Sequence, residues 1–164
     1  MFKCTLDFGD HMLSCGDADE TWKQLPILQD AHFSQNFACS SKVCWFFMCN
    51  SYGVANIHAT VDENDDLTVR DLDWLIQTSI NIASNDFLVL TSPDGNEMKF
   101  PVTPGLYTLQ IGRKTLALEE NDEPEEDVFI NLITANTSLP STVIKCPDDA
   151  RLPTPLLDEV AVRH

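Results

Sequence analysis

Six cysteines, four histidines and 26 acidic side chains are the groups in this 164-residue chain with chemistry to offer. Cys39, Cys44 and Cys49 recur at x4 spacing, the loose end of what zinc accepts, and no C-x2-C knuckle accompanies them. On an extended strand positions 44 and 49 point to opposite faces, so one ion does not reach both. Cys44 and Cys49 also bracket the apolar run Trp45-Phe46-Phe47-Met48, where a thiol is buried filler. Asp62, Asn64, Asp66 and Asp73 fall on ligand positions 1, 3, 5 and 12 of a calcium loop. Position 6, however, is Leu67 where the sharp turn needs glycine, and position 12 is too short for the bidentate glutamate. His58 sits opposite Ala55, Ile57 and Ala59 on an alternating strand and reads as a solvated side chain. There is no G-x-S-x-G, no Gly-rich phosphate loop and no H-E-x-x-H. A Cys–His pair distant in sequence is the one catalytic arrangement that remains. These residues predict a protein that is not an enzyme and carries no metal and no cofactor.

Charge is the strongest feature. The 26 Asp and Glu face 10 Lys and Arg, a net charge of -16 and a pI near 4.3. Such a balance disfavours a stand-alone nucleic-acid binder, which neutralises phosphates with clustered cations, and equally an anionic membrane surface. Residues 119–127 hold seven carboxylates in nine positions; Asp62, Glu63, Asp65, Asp66, Asp71 and Asp73 form a second cluster, and Asp17, Asp19 and Glu20 a third. A field of one sign costs stability through self-repulsion, and it speeds association with a basic protein. The natural basic partner is a nuclease whose cleft is lined with Lys and Arg. Carboxylates there would occupy the cations meant for phosphate, and the body of the protein would exclude substrate. The residues expected to make partner contact are Asp62, Asp65, Asp66, Asp71, Asp73, Glu119, Glu120, Asp122, Glu123, Glu125 and Glu126. Trp22 or Tyr52 would serve as the aromatic anchor.

The elements that must position these groups are strands. Cys4, Leu6 and Phe8 alternate with polar partners, and Met12–Cys15 is expected to return beside them after Gly9-Asp10. Val43–Cys49 and Val54–Val61 flank Asn50-Ser51-Tyr52-Gly53 and read as a hairpin. Ile76, Thr78, Ile80 and Ile82 share one face of a strand. Phe87–Thr91 and Met98–Val102 surround the turn Ser92–Asn96, and Leu106–Ile111 and Val128–Thr134 follow. Trp22, Leu25, Pro26, Ile27, Leu28 and Phe33 are expected as packing anchors, with a short helix within 18–31 or 69–75. Short strands separated by turn residues predict a mainly β protein, an antiparallel β-sandwich or barrel-like sandwich with one or two short helices. Residues 1–137 would form one sandwich domain, and residues 138–164, with four prolines, an extended tail on or trailing from it. No apolar stretch approaches the roughly 20 residues of a membrane span. The first residues lack a signal core, which predicts a cytoplasmic protein with reduced cysteines.

Residues 71–135 resemble a known group. Trp74 and its alternating strand come first, then Asn85-Asp86-Phe87-Leu88-Val89-Leu90. Phe100-Pro101-Val102-Thr103-Pro104-Gly105-Leu106-Tyr107 and Asp127-Val128-Phe129-Ile130-Asn131-Leu132-Ile133 follow. This order resembles the competence-nuclease inhibitor family and related bacterial toxin-immunity proteins, small cytoplasmic β-rich proteins that silence a nuclease or toxin. Its most specific piece is Pro104-Gly105-Leu106-Tyr107; where related sequences close on Trp-Pro, this chain has Ile133-Thr134-Ala135. The resemblance implies no catalytic residues. A non-enzymatic accessory module, such as a virion component or a carbohydrate-binding domain, is the other class. For the latter, three Trp and two Tyr are a poor supply of sugar-stacking surface.

Overall fold

Period-two alternation becomes strand almost wherever the sequence writes it. The computed structural model describes residues 1–91, 96–117 and 122–163. Sheet A is built from β1 (Phe2–Gly9), β6 (Tyr52–Val61), β7 (Trp74–Ile82), β10 (Gly105–Thr115), β11 (Glu125–Thr134) and β12 (Thr142–Lys145), in the order β1-β6-β11-β10-β7-β12. Sheet B has the order β4-β5-β2-β8-β9, from β2 (Met12–Asp17), β4 (Phe37–Cys39), β5 (Val43–Phe47), β8 (Asp86–Leu90) and β9 (Glu97–Pro101). A two-stranded ribbon joins β3 (Leu25–Pro26) to β13 (Val162–Arg163). Two short α-helices, α1 (Ala18–Thr21) and α2 (Asp30–Gln35), and one 3-10 turn complete the elements among the described residues. The protein is mainly β, as the alternation predicts.

The core lies between the sheets. Leu6, Ile57, Ile76, Ile80, Leu109, Ile111, Val128 and Ile130 of sheet A meet Leu13, Phe37, Phe46, Phe87, Val89 and Phe100 of sheet B in one cluster. Asp17 ties the layers together. Its carboxylate accepts the N–H groups of Ala83, Ser84 and Asp19 at 2.5, 2.8 and 2.9 Å. Burial opposes the charge there, but the three amides prevail and hold Asp17 below the usual carboxylate range.

Several local expectations are corrected. Residues 43–61 are not a hairpin: β5 pairs with β2 and β4 in sheet B, whereas β6 pairs with β1 and β11 in sheet A. The Asn50–Gly53 segment is a corner between layers. The first two strands likewise part at Asp10 and His11, since β1 joins β6 and β2 joins β5 and β8. Both corners have one cause: the apolar faces of these strands must meet across the core, so neighbours in sequence enter opposite sheets. Sheet A is also not purely antiparallel, because β6 and β11 run parallel. Trp22, Leu25, Ile27 and Phe33 are exposed; Pro26 and Leu28 are half-buried. Helix α1 fills only the start of residues 18–31, and near Val69 there is a single 3-10 turn, Leu67–Val69. Of the turn at residues 92–96, only Asn96 falls among the described residues.

Candidate functional site

The segment between β6 and β7 crosses the outer face of sheet A from one end of the strands to the other. Apolar packing, a cation over a ring and hydrogen bonds hold it to that face. Leu67 and Leu72 pack with Leu75 and Phe129, and the Arg70 guanidinium lies 4.6 Å from the centre of the Phe129 ring. Asn131 Nδ2 donates to the Asp65 carbonyl at 3.0 Å, and Lys145 Nζ donates to the Arg70 carbonyl. The acids of this segment therefore ride on a fixed backbone.

Most of those carboxylates are engaged within the protein. Asp62 accepts the N–H and hydroxyl of Thr134, each at 2.7 Å, and Asp65 pairs with Arg70 at 3.0 Å. Asp66 accepts both donors of Thr68, whose hydroxyl and N–H hold its carboxyl low. Asp73 accepts the Thr115 N–H at 2.7 Å and stands 3.4 Å from Lys114 Nζ; burial opposes these bonds, yet they keep its carboxyl below the usual range. Asp71 is 93% exposed and meets Lys114 at 3.1 Å, a contact that raises the Lys114 pKa. Asp62, Asp66 and Asp73, three of the calcium-loop positions, thus go to three different sets of donors. Among the described residues no group of His, Cys, Asp and Glu is arranged to hold a metal ion.

The second acidic run comes to the same end of sheet A. Lys114 and Thr115 face Asp127 and Glu126 across β10 and β11, which brings Asp71 and Asp73 beside the start of β11. Asp122 and Glu123 are exposed, and so is Glu125, whose Oε1 accepts from Asn56 Nδ2 at 2.6 Å. Glu119 and Glu120 lie outside the described residues. Glu126 faces inward and is 0% exposed, its Oε1 accepting the backbone and side-chain N–H groups of Asn50 at 3.0 Å. Near it Arg113 is buried, donating to the Phe47 carbonyl at 2.7 Å; burial lowers its pKa, and Glu126, Cys49 and Asp73 act against that.

Tyr52 is an exposed aromatic group at this end. It is 61% exposed and begins β6, where Val54 N–H donates to the Pro124 carbonyl at 2.8 Å. Gly53 allows that approach. Its φ is +150°, and a Cβ there would stand 2.2 Å from the Pro124 oxygen. Trp22 instead lines an apolar groove of about 250 Å³ with Met12, Leu25, Trp45 and Leu90, reached from Tyr52 past the Gly9–His11 turn.

Glu126, expected at the partner contact, is instead an inward-facing charge, and Arg113 is another that sequence reasoning did not single out. Parity held the signal, since Arg113 follows Tyr107, Leu109 and Ile111 at steps of two, and Glu126 precedes Val128, Ile130 and Leu132. His58, on the outer face, stacks on Phe129 at 4.8 Å and lies 3.9 Å from Asp127. Among the described residues no hydrogen bond joins a histidine to a cysteine.

The fold is similar to that of a nuclease inhibitor. The crystal structure of ComJ, inhibitor of the DNA-degrading activity of NucA from Bacillus subtilis, matches with a TM-score of 0.66. The two chains are 15% identical, and the match covers 82% of this chain and 96% of ComJ. A second solved structure, Crocagin biosynthetic gene J, matches with a TM-score of 0.51 and 12% identity, over 82% of this chain and 99% of its own. The likeness is one of fold, and it extends well beyond residues 71–135. No family model and no curated protein sequence matches the chain.

Proposed function

We propose that this protein is an inhibitor or immunity protein that binds a basic nuclease and blocks its active cleft by bulk and by charge. The supporting observation is the acidic end of sheet A. There exposed Asp71, Asp122, Glu123 and Glu125 converge around the start of β11, with Tyr52 beside Pro124. ComJ, whose fold is similar, inhibits a DNA-degrading activity; fold likeness alone does not transfer function, so the surface has to supply the rest. Exposed carboxylates steer the encounter and then occupy cations that would otherwise bind DNA phosphates. Tyr52 supplies the desolvated centre that charge alone lacks. Asp62, Asp65, Asp66 and Asp73 contribute to the field while holding the crossing segment in place. Glu126 acts from beneath, fixing Asn50 two residues before Tyr52.

The test starts with capture of the partner on immobilised protein in a lysate of the native host, followed by DNA cleavage by the purified partner. A basic nuclease whose activity falls to zero near one equivalent, with association slowing steeply in salt, is the expected result. A captured partner that is not a nuclease, or a nuclease that keeps cutting at saturation, overturns the proposal.

A further inference from the structure

Cys15, Cys44 and Cys39 stand in one row across β2, β5 and β4, with Cys44 opposite Cys15 on one side and Cys39 on the other. All three belong to the core between the sheets and are 2% exposed or less. The Cys39 and Cys44 sulfurs are 3.1 Å apart. The backbone explains why these two meet. Ser40 N–H bonds to the Val43 carbonyl and Phe47 N–H to the Asn36 carbonyl, which places Cys39 and Cys44 at a non-hydrogen-bonded site of the β4–β5 hairpin. Facing Cα atoms at such sites stand about 4.5 Å apart, within the span of a disulfide. Asp17 N–H bonds to the Lys42 carbonyl, so Cys15 and Cys44 occupy a hydrogen-bonded site, where side chains stand further apart.

We propose that Cys39 and Cys44 are a redox couple, a dithiol that a peroxide closes into a disulfide inside the core. Cys39 reacts first, because it lies on a three-residue edge strand whose outer bond is the Val160 N–H to its own carbonyl. Its sulfur attacks one peroxide oxygen, giving a sulfenic acid and one water. The Cys44 sulfur then attacks the sulfenic sulfur and expels the hydroxyl, which leaves with the Cys44 proton as a second water. Two thiols lose two protons and two electrons, and the peroxide takes up both to become two waters. Cys39 is buried in the closed protein, so opening of the β4 edge sets the rate; burial also pushes the Cys44 thiol well up. This couple does not depend on nuclease binding.

The test is treatment of the folded, full-length protein with hydrogen peroxide, then tryptic digestion without reduction and mass spectrometry. Cleavage at Lys42 separates the two cysteines, so a bridge joins two peptides that otherwise part. The expected product is a Cys39–Cys44 linked pair lighter by two hydrogens, retained in Cys15→Ser and absent from Cys39→Ala and Cys44→Ala. Reduction with dithiothreitol restores the starting mass. A bridge from Cys44 to Cys15, or oxidation confined to Cys49 and Cys146, overturns the assignment.

Discussion

On the outside of sheet A, Thr60, Asn131, Gln110 and Gln77 hydrogen-bond in a row across four strands, at 3.0, 3.4 and 3.0 Å. On the outside of sheet B, Ala38, Val43 and Trp45 form a second apolar cluster, roofed by Val160 with Met12, Leu28 and Val162 packed around it. The first face satisfies itself with polar side chains and can carry acids on a loop laid over it. The second is stable only when covered, and the C-terminal segment supplies the cover. Gln35 holds that segment from both sides, donating to the Leu157 carbonyl at 3.0 Å and accepting the Leu157 N–H at 2.9 Å. Exposed charge and structural apolar surface are thereby placed on different layers. Changes to one should leave the other largely intact.

The largest expected effect breaks the cover. Val160→Asp puts a charge against Trp45 and should cost about 3 kcal/mol or more, seen as a lower urea midpoint; an unmoved midpoint would mean the roof is idle. Gln35→Ala removes a buried acceptor and donor together. It should cost about 1–3 kcal/mol and raise amide exchange at Leu157, whereas unchanged exchange would detach Gln35 from the tail. Acidification comes next. Burial holds both His32 and His58 below the ordinary histidine range, although Asp127 pulls His58 the other way. The unfolded chain therefore binds protons first as pH falls through about 6.5. Stability is full above that value and declines below it, and His32→Gln should flatten the decline in unfolding midpoints between pH 7.5 and 5.5. Asp17 and Asp73, held low by amide donors, extend the loss below the ordinary carboxylate range. The smallest effect on stability sharpens the contrast. Replacing Asp122, Glu123 and Glu125 with Asn and Gln should shift stability by less than about 0.5 kcal/mol. The same variant should slow nuclease association several-fold and flatten its salt dependence, measured by stopped flow. A rate equal to that of the unaltered protein at low salt would leave these acids as solvation alone.

Much of this was legible in the sequence. Cys4, Leu6 and Phe8, or Ile76, Ile80 and Ile82, declare a strand and its buried face because side-chain parity is local. Pairing is not local, and residues 43–61 misled for that reason: turn residues such as Asn50 and Gly53 serve a corner between sheets as well as a hairpin. Trp22 and Phe33 look like core by type, yet the cover over sheet B is made by Val160 and Val162, more than a hundred residues away. The acidic clusters were plain as composition. Their division into exposed charges and internal acceptors was not, since it depends on which N–H groups the fold leaves near Asp62, Asp73 and Glu126.

The parallel contact between β6 and β11 has a consequence for biosynthesis. β6 is bonded on one side to the first strand of the chain and on the other to one that begins at Glu125. A ribosome that has delivered the chain only as far as residue 100 has therefore made β6 without one of its two neighbours. Sheet A is completed late, and until then β6 presents an edge that β11 will later cover.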